Sequence, residues 1–399
     1  MNLSIIGLQW GDEGKGKIID FLTNYSELNI RYNGAHNAGH IIYIKNIKKN
    51  IRILPSGIFK KNCLCFISNN TMISLKNLFK EIKNIKDNLI ISKECKILNN
   101  FDELIDVYID KFNNIGTTGS GVSIFSIRKY IKICFNILDI CNFNFFNIIK
   151  KNIFFYNLYF IFFKIKLKII FFLFIFKIKK NIFFLKKKIV NNNIFVNNKY
   201  NKIFESSQGA MLDIDVGTYP FVTCSNTINK SIFINSNFFL KNIKFLAIIK
   251  SYITRIGNGF FISKLKKKKN FLFSIITNEF GTNSFRIRSS GWFDLISIVE
   301  MIKINNISNI ILTKIDIFIF LKYLKILINY KIKKKYFNYK INFIYKKKFL
   351  KFCSWNKINK KYFLNEKNFH LYVRFIEKVI NTPISIISIG KESNDLIIL

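Results

Sequence analysis

The run LSIIGLQWGDEGKGKIIDF, Leu3–Phe21, dictates the first structural unit of this chain. Leu3–Leu8 is a short apolar stretch that reads as a buried strand, and Ile18–Leu22 can start a helix. Between them lies a loop of Gly11, Asp12, Glu13, Gly14, Lys15, Gly16 and Lys17. Glycines let backbone N–H groups close on an anion, and the following helix N-terminus adds favourable partial charge. The loop nearly fits the phosphate-binding pattern G-x-x-x-x-G-K-[ST]. Gly11, Gly16 and Lys17 have the spacing, but Ile18 stands where Ser or Thr would hold Mg²⁺. Asp12, inside the loop, is the alternative metal ligand. A carboxylate beside phosphates makes sense with a metal to bind or a proton to take. Lys15 and Lys17 supply cations.

The same grammar of an apolar run followed by a polar loop recurs. Ile310–Leu312 precedes TKID, and Ile384–Ile387 precedes SIG. Apolar runs bounded by loops predict buried parallel strands. The expected fold is therefore α/β, with a large, mostly parallel central sheet flanked by helices. Ligands of such sheets sit at the carboxyl ends of the strands. No glycine lies between Gly121 and Gly209, and no Asp or Glu between Asp139 and Glu205. Residues 140–204 and 318–362 are rich in Phe, Ile, Lys and Asn. The first stretch is expected to be helical and partly buried. With no internal repeat and no Pro/Gly/Ser linker, the expectation is a single domain over 1–399.

A formal net charge of +41 suggests nucleic acid or an anionic membrane as a partner. Lys, Asn, Ile, Phe and Tyr dominate every region, however, and share A/T-rich codons. The basic residues form no periodic stripe and no nucleic-acid module. In residues 152–180, Lys164, Lys166 and Lys168 cut the apolar run far below the roughly 18 residues of a membrane span. Neither nucleic acid nor membrane is expected. The seven Cys are odd in number and contain no CxxC, and the chain is long, which argues against a disulfide framework. With no signal-peptide pattern at the N-terminus, the expected location is the cytoplasm.

In RYNGAHNAGH, residues 31–40, His36 and His40 are spaced i, i+4. Gly39 interrupts a zinc-type helix, and Asn37 replaces the glutamate of HExxH. A glycine-flanked His suits an acid or hydrogen-bond donor near phosphate better. TKID, Thr313–Asp316, follows a strand and is similar to the guanine-reading element of GTP-binding proteins. A carboxylate accepts both N1–H and N2–H of guanine, a pair that adenine does not offer.

Taken in order, QWGDEGKGK, NGAHNAGH, LPSG, GTTGSG, SSQGAMLDIDVGTYPFVT, SNT, NEFG and SGWFD resemble the adenylosuccinate synthetase family from Leu3 to about Gly390. The segment Leu212–Thr223 is the most diagnostic. The resemblance implies GTP-dependent ligation of IMP and L-aspartate via 6-phosphoryl-IMP, the first committed step from IMP to AMP. It also implies one Mg²⁺ and a homodimer. Asp12 would remove the IMP N1 proton and bind Mg²⁺ with the Gly39 carbonyl. His40 would be the acid in γ-phosphate transfer. GTP would be held by Gly11–Lys17 (Asp12, Glu13, Gly14, Lys15 and Gly16 among them), Gly39, His40, Ile41 and Arg288. Its guanine would meet Lys314, Ile315, Asp316, Ser388, Ile389 and Gly390. IMP would meet Asp12, Glu13, Gly14, Lys15, Asn37, Ala38, Gly39, His40, Thr118, Gln208, Thr223 and Arg286, with Lys132 serving the partner subunit. Aspartate would meet Thr282, Asn283, Ser284, Phe285, Arg286, Ile287 and Arg288.

Several positions depart from the family pattern. Ser120 replaces an arginine, and SIFSIRK, Ser123–Lys129, replaces GPAYEDK. Ile287 and Ser289 replace arginines, and Phe285 replaces a glycine. Two rival readings follow. A GTP-binding switch protein would share the loop and TKID, but Ile18 lacks its hydroxyl and it has no need of Leu212–Thr223. A decayed, non-catalytic homologue is opposed by the presence of both Asp12 and His40.

Overall fold

The computed structural model describes residues 2–82, 88–141, 146–165, 184–191, 200–236, 242–280, 287–337, 340–355 and 366–399. The expected sheet is present. In chain order its strands are β1 (Asn2–Gly7), β2 (Leu28–Arg31), β3 (Leu64–Ile67), β4 (Leu89–Ser92), β5 (Ile189–Val190), β6 (Lys202–Gly209), β7 (Ile243–Lys250), β8 (Asn309–Thr313), β9 (Ile384–Ser388) and β10 (Leu396–Ile398). Their spatial order is β10-β9-β8-β7-β1-β6-β2-β3-β4-β5. Every pairing is parallel except the edge pair β9–β10.

The central strands are apolar because both faces are covered. Alternate residues of β7 and β8 enter different cores. Ala247, Ile249, Ile310 and Leu312 pack with helices Leu295–Asn305 and Lys367–Ile380. Leu246, Ile248 and Ile311 pack on the other face with Ile18 and Ile19 of the first helix, α1 (Lys15–Leu22). α1 begins three residues earlier than the apolar run from Ile18 suggests. Gly14, at φ 92°, takes the left-handed conformation and starts the helix inside the loop. Its first-turn N–H groups, which lack intrahelical acceptors, are therefore part of that loop.

The two stretches that were hard to read resolve differently. Phe146–Phe162 is helical, as expected, but Ile189–Val190 (β5) and the start of β6 at Lys202 are strand, because they pair into the central sheet; residues 142–145, 166–183 and 192–199 lie outside the described residues. Tyr323–Phe337 and Lys340–Cys353 form a long antiparallel hairpin that joins Phe293–Asp294. No helix among the described residues is long and apolar enough to cross a membrane.

The divergent segment Ser123–Lys129 has a structural explanation. It lies in α2 (Val122–Tyr130), and its Arg128 is fully buried. Arg128 Nε donates to Asp102 Oδ1 at 2.8 Å and Nη1 to Asn152 Oδ1 at 2.8 Å. Tyr156 Oη donates to the same Asp102 oxygen at 3.0 Å. One guanidinium thus ties α2 to helices Asn100–Asn113 and Phe146–Phe162. Breaking such a buried pair leaves a lone charge in the core, at a cost of about 3–5 kcal/mol. Arg128→Met should lower the stability measured by denaturant unfolding by that amount. Arg128→Met combined with Asp102→Asn, which leaves no lone charge, should recover a good part of it.

Candidate active site

The loops that leave the carboxyl ends of β1, β2, β6, β7, β8 and β9 carry nearly all the candidate residues. The β1 loop is folded upon Glu13. Its buried carboxylate accepts from Gln9 N at 3.2 Å and Gly11 N at 2.8 Å, and pairs with Lys15 Nζ at 2.7 Å. Thr313 Oγ1, at the end of β8, donates to the Glu13 carbonyl at 2.7 Å. Glu13 and Lys15 therefore shape the loop from within. Gly209, ending β6, lies against it: a Cβ there would sit 2.1 Å from the Gln9 carbonyl oxygen. Gly16 is equally constrained, since its Cβ would meet His40 Cβ at 2.8 Å. Both glycines permit a close approach that any side chain would prevent.

Asp12 stands out from this loop at φ 61°, with its side chain 27% exposed. Its Oδ2 lies 2.9 Å from Arg288 Nε. The Nε–H is not aligned on that oxygen and has no hydrogen-bond partner among the described residues. The contact is thus an ion pair with a donor still to be used. Lys17 turns the other way. Its Nζ donates to Ser388 Oγ at 2.8 Å and to the carbonyls of Gly390 and Asp395 at 2.9 and 3.0 Å. It joins the β1 loop to the β9 loop.

His40 begins the hairpin strand His40–Ile44, with Ile41 next to it, and its ring is buried. Nδ1 faces Glu205 Oε1 at 2.7 Å and Ser56 Oγ at 3.0 Å. Ser56 donates to Glu205 from both its N–H and its hydroxyl, each at 2.8 Å. Burial alone would raise the Glu205 carboxyl. The hydrogen bond and charge of His40, the Arg31 guanidinium and the Ser56 N–H instead hold it below the usual carboxylate range. The geometry fixes the ring and leaves Nε2 buried without a partner among the described residues. Glu205 lies just outside the motifs, and Ser56 lies in LPSG without a role assigned to it. The available signal was that Glu205 is the acid that ends a long acid-free stretch.

Other candidates are brought together in pairs. Gln208 Nε2 donates to Asn37 Oδ1 at 2.9 Å, beside buried Ala38 and half-buried Gly39. Thr118 Oγ1 and Ser120 Oγ lie 2.9 Å apart, so Ser120 spends its hydroxyl on a neighbour. Thr223 N donates to the Leu212 carbonyl at 2.8 Å, which folds the Leu212–Thr223 segment back on itself. Lys314, at φ 61°, is exposed at the end of β8 and leads into buried Ile315 and half-buried Asp316. Burial raises the Asp316 carboxyl, and Lys314 and Lys17 act against the rise. Ile389, buried, donates its N–H to the Asp395 carbonyl at 3.0 Å. Lys132 is exposed just beyond α2. Thr282, Asn283, Ser284, Phe285 and Arg286 lie outside the described residues, while Ile287 forms a bridge with Phe280.

The family model for adenylosuccinate synthetase matches residues 4–397. The chain is 33% identical over 437 residues to the adenylosuccinate synthetase of Buchnera aphidicola, covering 100% of this chain and 99% of the relative. To that of Wigglesworthia glossinidia brevipalpis it is 35% identical over 448 residues, covering 100% and 98%. The solved structure of fully ligated adenylosuccinate synthetase from Plasmodium falciparum superposes with a TM-score of 0.92 at 30% identity, over 100% of this chain and 99% of that one. Neither rival from the motif reading finds support in these matches. The chain belongs to the adenylosuccinate synthetase family.

Proposed function

We propose that the site couples IMP to L-aspartate at the expense of GTP, giving adenylosuccinate, GDP and phosphate. The observation that carries this reading is the Asp12–Arg288 contact. It joins the nucleotide loop to the stem of the segment assigned to aspartate, at the one carboxylate that stands out of the loop. The oxygen on C6 of IMP is a poor leaving group. Asp12 takes the N1 proton, O6 becomes an anion able to attack the γ-phosphate, and 6-phosphoryl-IMP forms. The aspartate amine then attacks C6 and phosphate leaves. Such transfer depends on positioned charge more than on covalent help.

His40 serves as the acid toward the transferring phosphoryl group. With Nδ1 engaged by Glu205 and Ser56, the ring is held in place and Nε2 is left to face the phosphoryl group. Gly11–Lys17, Gly39, His40, Ile41 and Arg288 hold the GTP phosphates. Lys314, Ile315, Asp316, Ser388, Ile389 and Gly390 take the guanine. Asn37, Ala38, Thr118, Gln208, Thr223 and Arg286 hold IMP, and Thr282–Arg288 hold aspartate. Arginine forks suit the two carboxylates of that substrate.

A Mg²⁺ fits the donors present. It needs only one or two protein oxygens when phosphates supply others, and the outward Asp12 carboxylate with the Gly39 carbonyl would provide them. When bound it neutralises charge on the phosphate oxygens. A single-domain, cytoplasmic homodimer in which Lys132 reaches the partner's IMP completes the proposal.

The test is coupling. Without IMP no nucleophile faces the γ-phosphate, so phosphate release from GTP should stay at background and rise only when IMP and aspartate are both added. Rapid release with GTP and Mg²⁺ alone would speak for a switch-type GTPase instead.

A further inference from the structure

Arg288 reaches Asp12 from a fixed stem. Its N–H donates to the Glu279 carbonyl at 3.1 Å, and Phe280 and Ile287 form an antiparallel bridge beside it. Its Nη1 also donates to Glu279 Oε2 at 2.5 Å. The other Glu279 oxygen takes Lys250 Nζ at 2.5 Å and the Tyr252 hydroxyl at 2.5 Å. Lys250 is the last residue of β7, at the centre of the sheet. Glu279, 1% exposed, therefore anchors the Arg288 guanidinium to the end of a central strand.

The electrostatics fit a holder of cations. Burial would raise the Glu279 carboxyl, but Lys250, Arg288 and Lys314 bring it down to about 2. Burial outweighs the attraction of Glu279 at Lys250, which also faces Arg288 and Lys314, and lowers it to about 8. One anion is shared by two cations, so the guanidinium is not fully neutralised from behind. Its Nε–H remains without an aligned acceptor. The stem itself is already closed by the backbone bond and the bridge, and closing it does not require the side chain.

We propose that Glu279 is a positioning residue for the ligase reaction, fixing the Arg288 guanidinium beside Asp12 with its Nε–H left for the incoming aspartate. This rests on the reading of Arg288 as a ligand of aspartate. Neither Lys250 nor Glu279 belongs to the residues that the motifs assigned to substrates.

Three variants test it: Glu279→Gln, Lys250→Met, and both together. In E279Q the amide presents N–H to one of the two cations, donor against donor. The KM for aspartate should rise about ten- to hundredfold, the loss expected of a charge-assisted bond. In the same variant kcat should fall less and the KM for IMP should move less than about threefold. K250M keeps the Glu279–Arg288 bond, and its aspartate KM should stay within about threefold of wild type. The double variant removes opposite charges together and keeps the test available if E279Q does not fold; its aspartate KM should match that expected of E279Q. An aspartate KM unchanged in the double variant, or raised in K250M as far as in the double variant, would overturn the role of Glu279. A wild-type protein that forms no adenylosuccinate would overturn the function itself, which is a separate result.

Discussion

Asp12→Asn is expected to lower adenylosuccinate formation by about 10²–10⁴-fold, the usual loss when a general base is removed. Asparagine fills the same space on the left-handed loop position, which Asn tolerates well. It cannot take the N1 proton of IMP, and it is a weaker ligand for Mg²⁺. It also leaves Arg288 Nε without its anion, although Glu279 still holds the guanidinium. Folding should be preserved, since the side chain is partly exposed and makes no core contact that the amide cannot make. Steady-state turnover at saturating GTP, IMP and aspartate checks this. A mutant with near-normal turnover would remove Asp12 from the chemistry.

Asp316→Asn is expected to change which nucleotide is used. An ionised carboxylate is acceptor-only and matches two guanine donors. The amide accepts from N1–H but turns its NH₂ toward the NH₂ of guanine. Each charge-assisted bond is worth roughly 1.5–3 kcal/mol, so kcat/KM for GTP should drop on the order of 10²-fold or more. Xanthosine triphosphate carries a carbonyl in place of that NH₂ and should partly rescue the mutant. Rates of adenylosuccinate formation with GTP, ATP and xanthosine triphosphate in both proteins decide the matter. A mutant that keeps its GTP preference would place guanine recognition away from TKID.

The sheet was legible because buried parallel strands must be apolar and their loops must be glycine-rich or polar. Leu3–Leu8, Ile310–Leu312 and Ile384–Ile387 mark β1, β8 and β9 for that reason. The hairpin of Tyr323–Phe337 and Lys340–Cys353 was not legible. Its lysines and aromatics follow the composition of the whole chain, so alternation carries little contrast there. At the site, the residues proposed to meet ligands were readable from motifs, whereas the side chains that pair with them, such as Glu205 and Glu279, carried no assigned role. Lys17 meets Ser388 across 371 positions, and Glu205 meets His40 from a different strand. Such partners are set by which strand ends lie side by side, and no local spacing encodes that. Arg128 shows the same limit from the other direction. As sequence it is a departure from the family pattern; in the fold it is the centre of a buried network.

The proposed reaction joins IMP and aspartate at one site at the expense of GTP. Its most direct test is to incubate the purified protein with GTP, Mg²⁺, IMP and aspartate and to quantify adenylosuccinate and GDP chromatographically, omitting each substrate in turn. Adenylosuccinate and GDP should form in equal amounts with all substrates present, and neither when IMP is left out. GDP formed without IMP, or no adenylosuccinate from the complete mixture, would contradict it.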